Sequence, residues 1–236
     1  PTQFIDTAFG AASYMTYQYQ PDVVFGFAIN APYAYVSDYA DTAVSRYTAT
    51  NTELQGLNFS PTFAYRFNKQ WAIGGSLNIQ YYQAALGTQI ATSTTEPQIN
   101  TDVASLIEAD DIAYGFSFGF EFQPSENTRL GASYRSKISH YFDGDITISG
   151  TDANLASLSS LAPDLTSLSG KADFDIATPF ILQLGLLHKF DGNYEMYANA
   201  TLSGWSAFKD THITYDNGLA ETVVDNSWKD SWYVAI

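Results

Sequence analysis

The sequence predicts an all-β fold, a transmembrane antiparallel up-and-down barrel. Three observations predict it: two-residue alternation of apolar and polar positions, short turns alternating with long connections, and an aromatic-rich composition of mild hydropathy. Aromatic residues make up 16% of the 236 residues, charged residues only 15%, yet mean hydropathy is −0.14. A helical membrane protein would be far more apolar, and no run approaches the roughly 18 apolar residues that a membrane helix needs. A barrel reconciles these figures, because only alternate residues of its strands meet lipid.

The alternation is clearest in segment 114–122. Phe116, Phe118, Phe120 and Phe122 share one face and Gly115, Ser117, Gly119 and Glu121 the other. In segment 71–82, Trp71, Ile73, Leu77, Ile79 and Tyr81 oppose Ala72, Gly74, Ser76, Asn78 and Gln80. Segment 128–136 sets Leu130, Ala132 and Tyr134 against Arg129, Gly131, Ser133 and Arg135. Segment 194–205 sets Met196, Ala198, Ala200 and Leu202 against Glu195, Asn199, Thr201 and Ser203.

Soluble sandwiches alternate too, so the connections decide. Short turns fall at Gln20-Pro21-Asp22, Asn68-Lys69-Gln70, residues 123–127 and Asp191-Gly192-Asn193. Between them lie long polar connections at 33–51, 88–111 and 151–172, and a shorter one at 216–221. Short turns at one end and long loops at the other are the layout of outer-membrane barrels. Lys or Arg at mid-membrane costs about 2–4 kcal/mol, so Arg129, Arg135, Lys137 and Glu121 are expected inside and the Phe, Leu and Ile rows outside. Tyr19, Trp71, Tyr194 and Trp205 are candidates for interfacial aromatic girdles.

The chain carries 25 Asp and Glu against 10 Lys and Arg, a net charge of −15. That balance repels nucleic acid. Without cysteine there is no disulfide framework and no Cys-based zinc site. The sequence begins at Pro1 and stops in what reads as a strand, Trp232 to Ile236, so residues 1–236 are expected to be one partial barrel domain.

Several runs together, in order and spacing, resemble the outer-membrane long-chain fatty acid and aromatic hydrocarbon transporters, the FadL/TodX-like family. They are Phe25-Gly26-Phe27-Ala28-Ile29-Asn30-Ala31-Pro32-Tyr33 with Ser37-Asp38-Tyr39, then Leu57 to Arg66, then Ala113-Tyr114-Gly115-Phe116. The most specific is Thr128 to Ser136 with His140 and Gly144; Ala177-Thr178-Pro179, Trp205-Ser206-Ala207-Phe208 and Trp228-Lys229-Asp230 complete the series. The resemblance implies a fourteen-stranded barrel, of which this chain covers about nine strands, without the N-terminal hatch or the C-terminal strands. It also implies passive transport: capture by extracellular loops, binding inside the barrel and lateral release through a kinked strand. That gate falls on Asn30, Ala31, Pro32 and Tyr33. Pro32 lacks an N–H and cannot complete a ladder, so it either opens a local gap or ends the strand at its loop.

In segment 152–169, Leu155, Leu158, Leu161, Leu165 and Leu168 recur at helical spacing, interrupted by Pro163. They could form a landing groove for hydrophobic substrate, or pack the loop onto the barrel rim. Val103, Leu106 and Ile107, also at helical spacing, could form its facing half, with Ile90 and Ile99 nearby. Glu108, Asp110 and Asp111 follow, a solvated cluster or a Ca²⁺ site. Arg135 and Lys137 could hold a substrate carboxylate, or Arg could pair with Glu121. Ser139 and His140 are neighbours on opposite strand faces, so they cannot form a catalytic pair, and no phosphate loop or nucleophile elbow is present. The expected protein is a monomeric transporter, not an enzyme, without metal or cofactor. Its expected partners are a hydrophobic small molecule, membrane lipid and lipopolysaccharide, and not nucleic acid. A general porin or adhesive barrel is the alternative.

Overall fold

The computed structural model describes residues 12–93, 101–191, 194–208 and 210–236. Gly192 and Asn193 of the fourth turn and Ile99 of the second connection lie outside these residues. Strands β1 (Ala12–Gln20), β2 (Val23–Asp38), β3 (Asn51–Arg66), β4 (Trp71–Ile90) and β5 (Val103–Ser125) are followed by β6 (Thr128–Arg135) and β7 (Ile138–Ser149). Helix α1 (Asp152–Leu161) precedes β8 (Ser169–Thr178), β9 (Ile181–Lys189), β10 (Glu195–Ser203), β11 (Thr211–Tyr215), β12 (Thr222–Val224) and β13 (Ser231–Ala235). They form one 13-stranded antiparallel sheet with the order β1-β2-β3-β4-β5-β6-β9-β10-β13. At the outer end β7 joins β5 to β8, and β8 leads on to β11 and β12. Four passages are thus interrupted midway, and thirteen segments make the nine passages expected. No described helix is long and apolar enough to cross a membrane.

Register assigns the two faces. Trp71 pairs with Phe122, Leu77 with Phe116 and Ile79 with Tyr114; on the opposite face Ser76 meets Ser117 and Gln80 meets Ala113. The apolar row is the exposed one: Phe116 is 54% and Leu184 49% exposed, whereas Asn58 and Gln80 are fully buried. A soluble core would have the reverse distribution. From Phe122 to Ile112 the outward face of β5 is apolar; it then turns to Asp110 and Glu108. Ten residues at about 3.3 Å, tilted some 40°, span about 25 Å, the height of a barrel's lipid-facing band.

Beyond that band the faces exchange character. Between Ser117↔Arg135 and Glu108↔Asp145, nine steps on β5 face ten on β6–β7. The extra residue falls at Ser136-Lys137 and reverses which parity points inward. On β7, Ile138, His140, Phe142, Ile146 and Ile148 are buried while Tyr141, Asp143 and Asp145 are exposed. Opposite this break, Pro179-Phe180 separates β8 from β9, and Pro179 has no N–H for a ladder. The outer lumen therefore holds an apolar core: Tyr82, Ile107, Phe142, Ile146, Phe174, Ile176 and Ile213, with Tyr33, Leu86 and Phe208 packed against it.

Several expectations are corrected. The connections are shorter than 33–51 and 88–111, because β2 runs to Asp38 and β4 and β5 reach Ile90 and Val103. The strands continue into water, where the charged face turns out and the apolar face in. Val103, Leu106 and Ile107 are accordingly strand, not helix: Val103 and Ile107 are buried and Leu106 faces out. Asp143-Gly144-Asp145 lies within the unbroken strand β7. A Cβ on Gly144 would stand 2.6 Å from that of Ala109, so glycine there admits β7 close to β5. Trp205 is no girdle residue, for it meets Tyr33 of β2 with ring centroids 6.1 Å apart. Tyr19, Trp71 and Tyr194 are exposed at the short-turn end.

Candidate functional site

The segment Asn30–Tyr33, expected as a gate, is irregular. Asn30 pairs with Asn58 and Tyr33 with Gly56, so three steps on β2 face two on β3, with the shift at Ala31-Pro32. The strand then continues to Asp38; Pro32 does not end it. One inserted residue reverses the strand's faces. Below the bulge Gly26, Ala28 and Asn30 point inward; above it Tyr33, Tyr35 and Ser37 do. Gly56 carries no side chain because the Tyr82 ring lies over it, 2.6 Å from where a Cβ would stand.

Polar side chains line the lumen at this level. Asn30, Asn58 and Gln80 are neighbours on β2, β3 and β4. Asn58 Nδ2 donates to Ser60 Oγ at 2.5 Å, Ser60 Oγ to Asn78 Oδ1 at 2.9 Å, and Asn78 Nδ2 to Ser117 Oγ at 2.8 Å. Arg135 reaches Asn58 Oδ1 through Nη2 at 3.3 Å. His140 lies 2.9 Å from Asp111 Oδ2 and 3.0 Å from Gln80 Oε1. Among the described residues, Asn30 Oδ1, Tyr33 OH, Gln80 Nε2 and Arg135 Nε are buried at this level without a hydrogen-bond partner. Below, Thr62, Ser76, Ser117, Ser133, Gln183 and Thr201 help line an open cavity of about 1050 Å³.

The expected cationic pair separates. Lys137 is exposed between buried Ser136 and Ile138, because the extra residue at the β6–β7 break turns it away from the lumen row. Arg129, rather than Arg135, pairs with Glu121, at 3.5 Å. Nor do the acidic residues converge: Asp111 turns inward to His140, while Glu108 and Asp110 face out. Among the described residues no three metal-liganding side chains form a site.

The leucines divide as well. Thr151 Oγ1 caps α1 by accepting from Asn154 N at 3.3 Å, and the helix ends at Leu161, before Pro163. Leu158 is buried against Val103 and Ile148, with Leu155 and Leu165 alongside. Leu161 and Leu168, by contrast, are exposed. The loops 39–50 and 91–102 are tied by a pair that sequence reasoning missed. Arg46 Nε meets Asp102 Oδ2 at 2.8 Å, and Tyr47 OH lies 3.0 Å from the same oxygen. The hydrogen bond to Asp102, with the carboxylate's charge, holds the Arg46 pKa above its usual value.

Residues 2–236 match the family described as outer membrane protein transport protein (OMPP1/FadL/TodX). The chain belongs to the FadL/TodX family. Among curated relatives, the long-chain fatty acid transport protein of Escherichia coli O6:H1 is 21% identical over 90% of this chain and 52% of its own length. Outer membrane protein P1 of Haemophilus influenzae is 21% identical over 82% and 45%. The chain therefore spans about half the length of the curated relatives it matches. A Pseudomonas aeruginosa FadL homologue superposes with a TM-score of 0.83 at 17% identity, over 94% of this chain and 54% of that one. The Ralstonia pickettii toluene transporter TbuX superposes with a TM-score of 0.69 at 18% identity, over 94% and 62%. Both share the fold. This FadL/TodX-family chain is thus wall from a bacterial outer-membrane β-barrel, and the family is one of outer-membrane transport proteins.

Proposed function

We propose that the chain is one partial domain of a barrel that passes hydrophobic molecules, fatty acids or related hydrocarbons, passively across the outer membrane. Exposed Leu161 and Leu168 on the outer loop offer a first contact. The apolar core of the outer end, Tyr82, Phe142, Phe174 and Ile176, parts to receive the apolar body. The Asn30–Tyr33 bulge is the lateral exit into the bilayer. The observation that carries this reading is the extra residue at Ala31-Pro32: it interrupts the β2–β3 ladder opposite Leu57, which is in register with Tyr81 of β4 and Ile112 of β5 at the outer edge of the lipid band, where an intact wall would keep every backbone group paired.

The test is deletion of Pro32, which restores equal residue counts on β2 and β3. Uptake of a radiolabelled long-chain fatty acid by cells is expected to fall about tenfold or more, with the barrel still assembled; tenfold corresponds to roughly 1.4 kcal/mol. Unchanged uptake would remove the gate from the mechanism. A general porin is the second reading, favoured by the open cavity of about 1050 Å³ with many small residues in its lining. Large steady ion conductance in planar bilayers would select it.

A further inference from the structure

The outer end of the chain holds two apolar clusters, and one residue joins them. Val103, Ile148 and Leu158 form the cluster beneath helix α1, with Leu155 and Leu165 alongside. Tyr82, Phe142, Phe174 and Ile213 belong to the core of the outer lumen. Among the described residues, Leu219 alone packs against both. It is half-buried and stands in the turn between β11 and β12. The continuous apolar path from the leucine loop, where Leu161 and Leu168 are exposed, to the outer lumen therefore runs past Leu219.

That turn is clamped onto the leucine loop. Thr166 N donates to Asn217 O at 2.8 Å, and Thr166 Oγ1 donates to the same oxygen at 3.1 Å. Asn217 is only 2% exposed, and both ends of its amide are spent. Nδ2 donates to Ser167 O at 3.3 Å, and Oδ1 accepts from Leu219 N at 3.3 Å. Gly218 has a φ of +88°, and a Cβ there would stand 1.7 Å from Asp164 O, so glycine is what lets the turn lie on the loop. Little else holds the turn. β11 meets β12 only from Thr211 to Ile213 and β8 only at Thr214 and Tyr215, whereas β4 pairs with β5 along its whole length. Segments with so short a ladder open locally at low cost. Because the Asn217 amide also bonds Leu219 N, releasing the clamp moves Leu219 with the turn.

We propose that the turn Asp216–Leu219 is the entry latch between the leucine loop and the outer lumen: Asn217 holds it shut, and Leu219 is the side chain that an apolar substrate displaces on its way in. The inference rests on the transport reading and assigns residues to its entry step. Asn217 is a positioning residue, acting through Leu219. The rival role is purely structural: the clamp supports the leucine loop, and losing it only weakens capture.

The experiment measures the initial rate of radiolabelled oleate uptake by cells producing the parent protein or the double variant Thr166→Cys, Asn217→Cys, first oxidised to a disulfide across the clamp and then reduced. The disulfide is expected to lower the rate about tenfold or more, and reduction to raise it about threefold above the parent's, because the hydrogen bonds of the Asn217 amide are gone. The structural role predicts the opposite order, with the disulfide form at the parent's rate and the reduced form slower. A reduced form slower than the parent, or an oxidised form at least as fast as the reduced one, overturns the proposal. If the parent itself takes up no oleate, the transport reading fails and this inference falls with it. Where the disulfide does not form, Asn217→Ala carries the test: a rate above the parent's supports the latch, and a rate at or below the parent's overturns it.

Discussion

Leu158 and Leu161 lie three residues apart on one short helix and call for opposite predictions. Leu158 is packed against Val103 and Ile148, so Leu158→Asp introduces a carboxylate into an apolar contact. The cost is about 3 kcal/mol or more, above that of a simple cavity, and it is expected to release the 150–168 segment. Proteolysis of that segment on intact cells should rise sharply. Leu161 is exposed; Leu161→Asp should leave protease resistance unchanged and lower only fatty acid uptake. The leucine spacing alone could not separate the two, because a three-to-four repeat identifies a helix face without saying what covers it. Arg135 was legible as a lumen residue from its parity with Arg129 and Ser133. Lys137 was not, since one extra residue between β6 and β7 reverses parity and nothing in Ser136-Lys137 announces it.

Among elements, the outer connections show what sequence reading finds hard. Lipid-facing alternation is legible because Phe116, Phe118 and Phe120 oppose Gly and Ser. The same strands beyond the membrane carry charge outward and apolar residues inward, so Val103 to Asp111 resembles a polar loop with a helical patch. The tie between Arg46 and Asp102 was equally hidden: the partners are far apart in sequence and meet only because β3 and β4 place their loops side by side. Removing Asp102 leaves the Arg46 guanidinium without its carboxylate partner. Asp102→Ala is therefore expected to loosen loop 39–50, leaving Arg46 as a new tryptic site on whole cells. Continued resistance to trypsin would show that the tie does not hold the loops.

At the scale of the whole molecule, the distribution of residue types between the two faces is the organising fact. It was largely legible in the sequence: the all-β barrel and its short turns follow from alternation and turn spacing, and the nine passages from the family resemblance. The division of the lumen into a packed apolar outer part and an open inner part lined largely by small residues was not, because it depends on the breaks at Ala31-Pro32, Ser136-Lys137 and Pro179-Phe180. The faces also differ in tolerance. Phe118→Arg places a charge against lipid and should destabilise the folded barrel by about 2–4 kcal/mol in vesicle-based urea unfolding. Ser133→Arg, on the same level of the lumen, should cost much less.

The most direct measurement is a single-cysteine scan along β5, straightforward in a chain with no cysteine of its own. Labels at positions 116, 118 and 120 should be quenched by a lipid-soluble quencher, and those at 117 and 119 by a water-soluble one. At 108 and 110, past the lipid band, the outward positions should turn water-accessible. Lipid quenching at 117 and 119, or no alternation at all, would contradict the account.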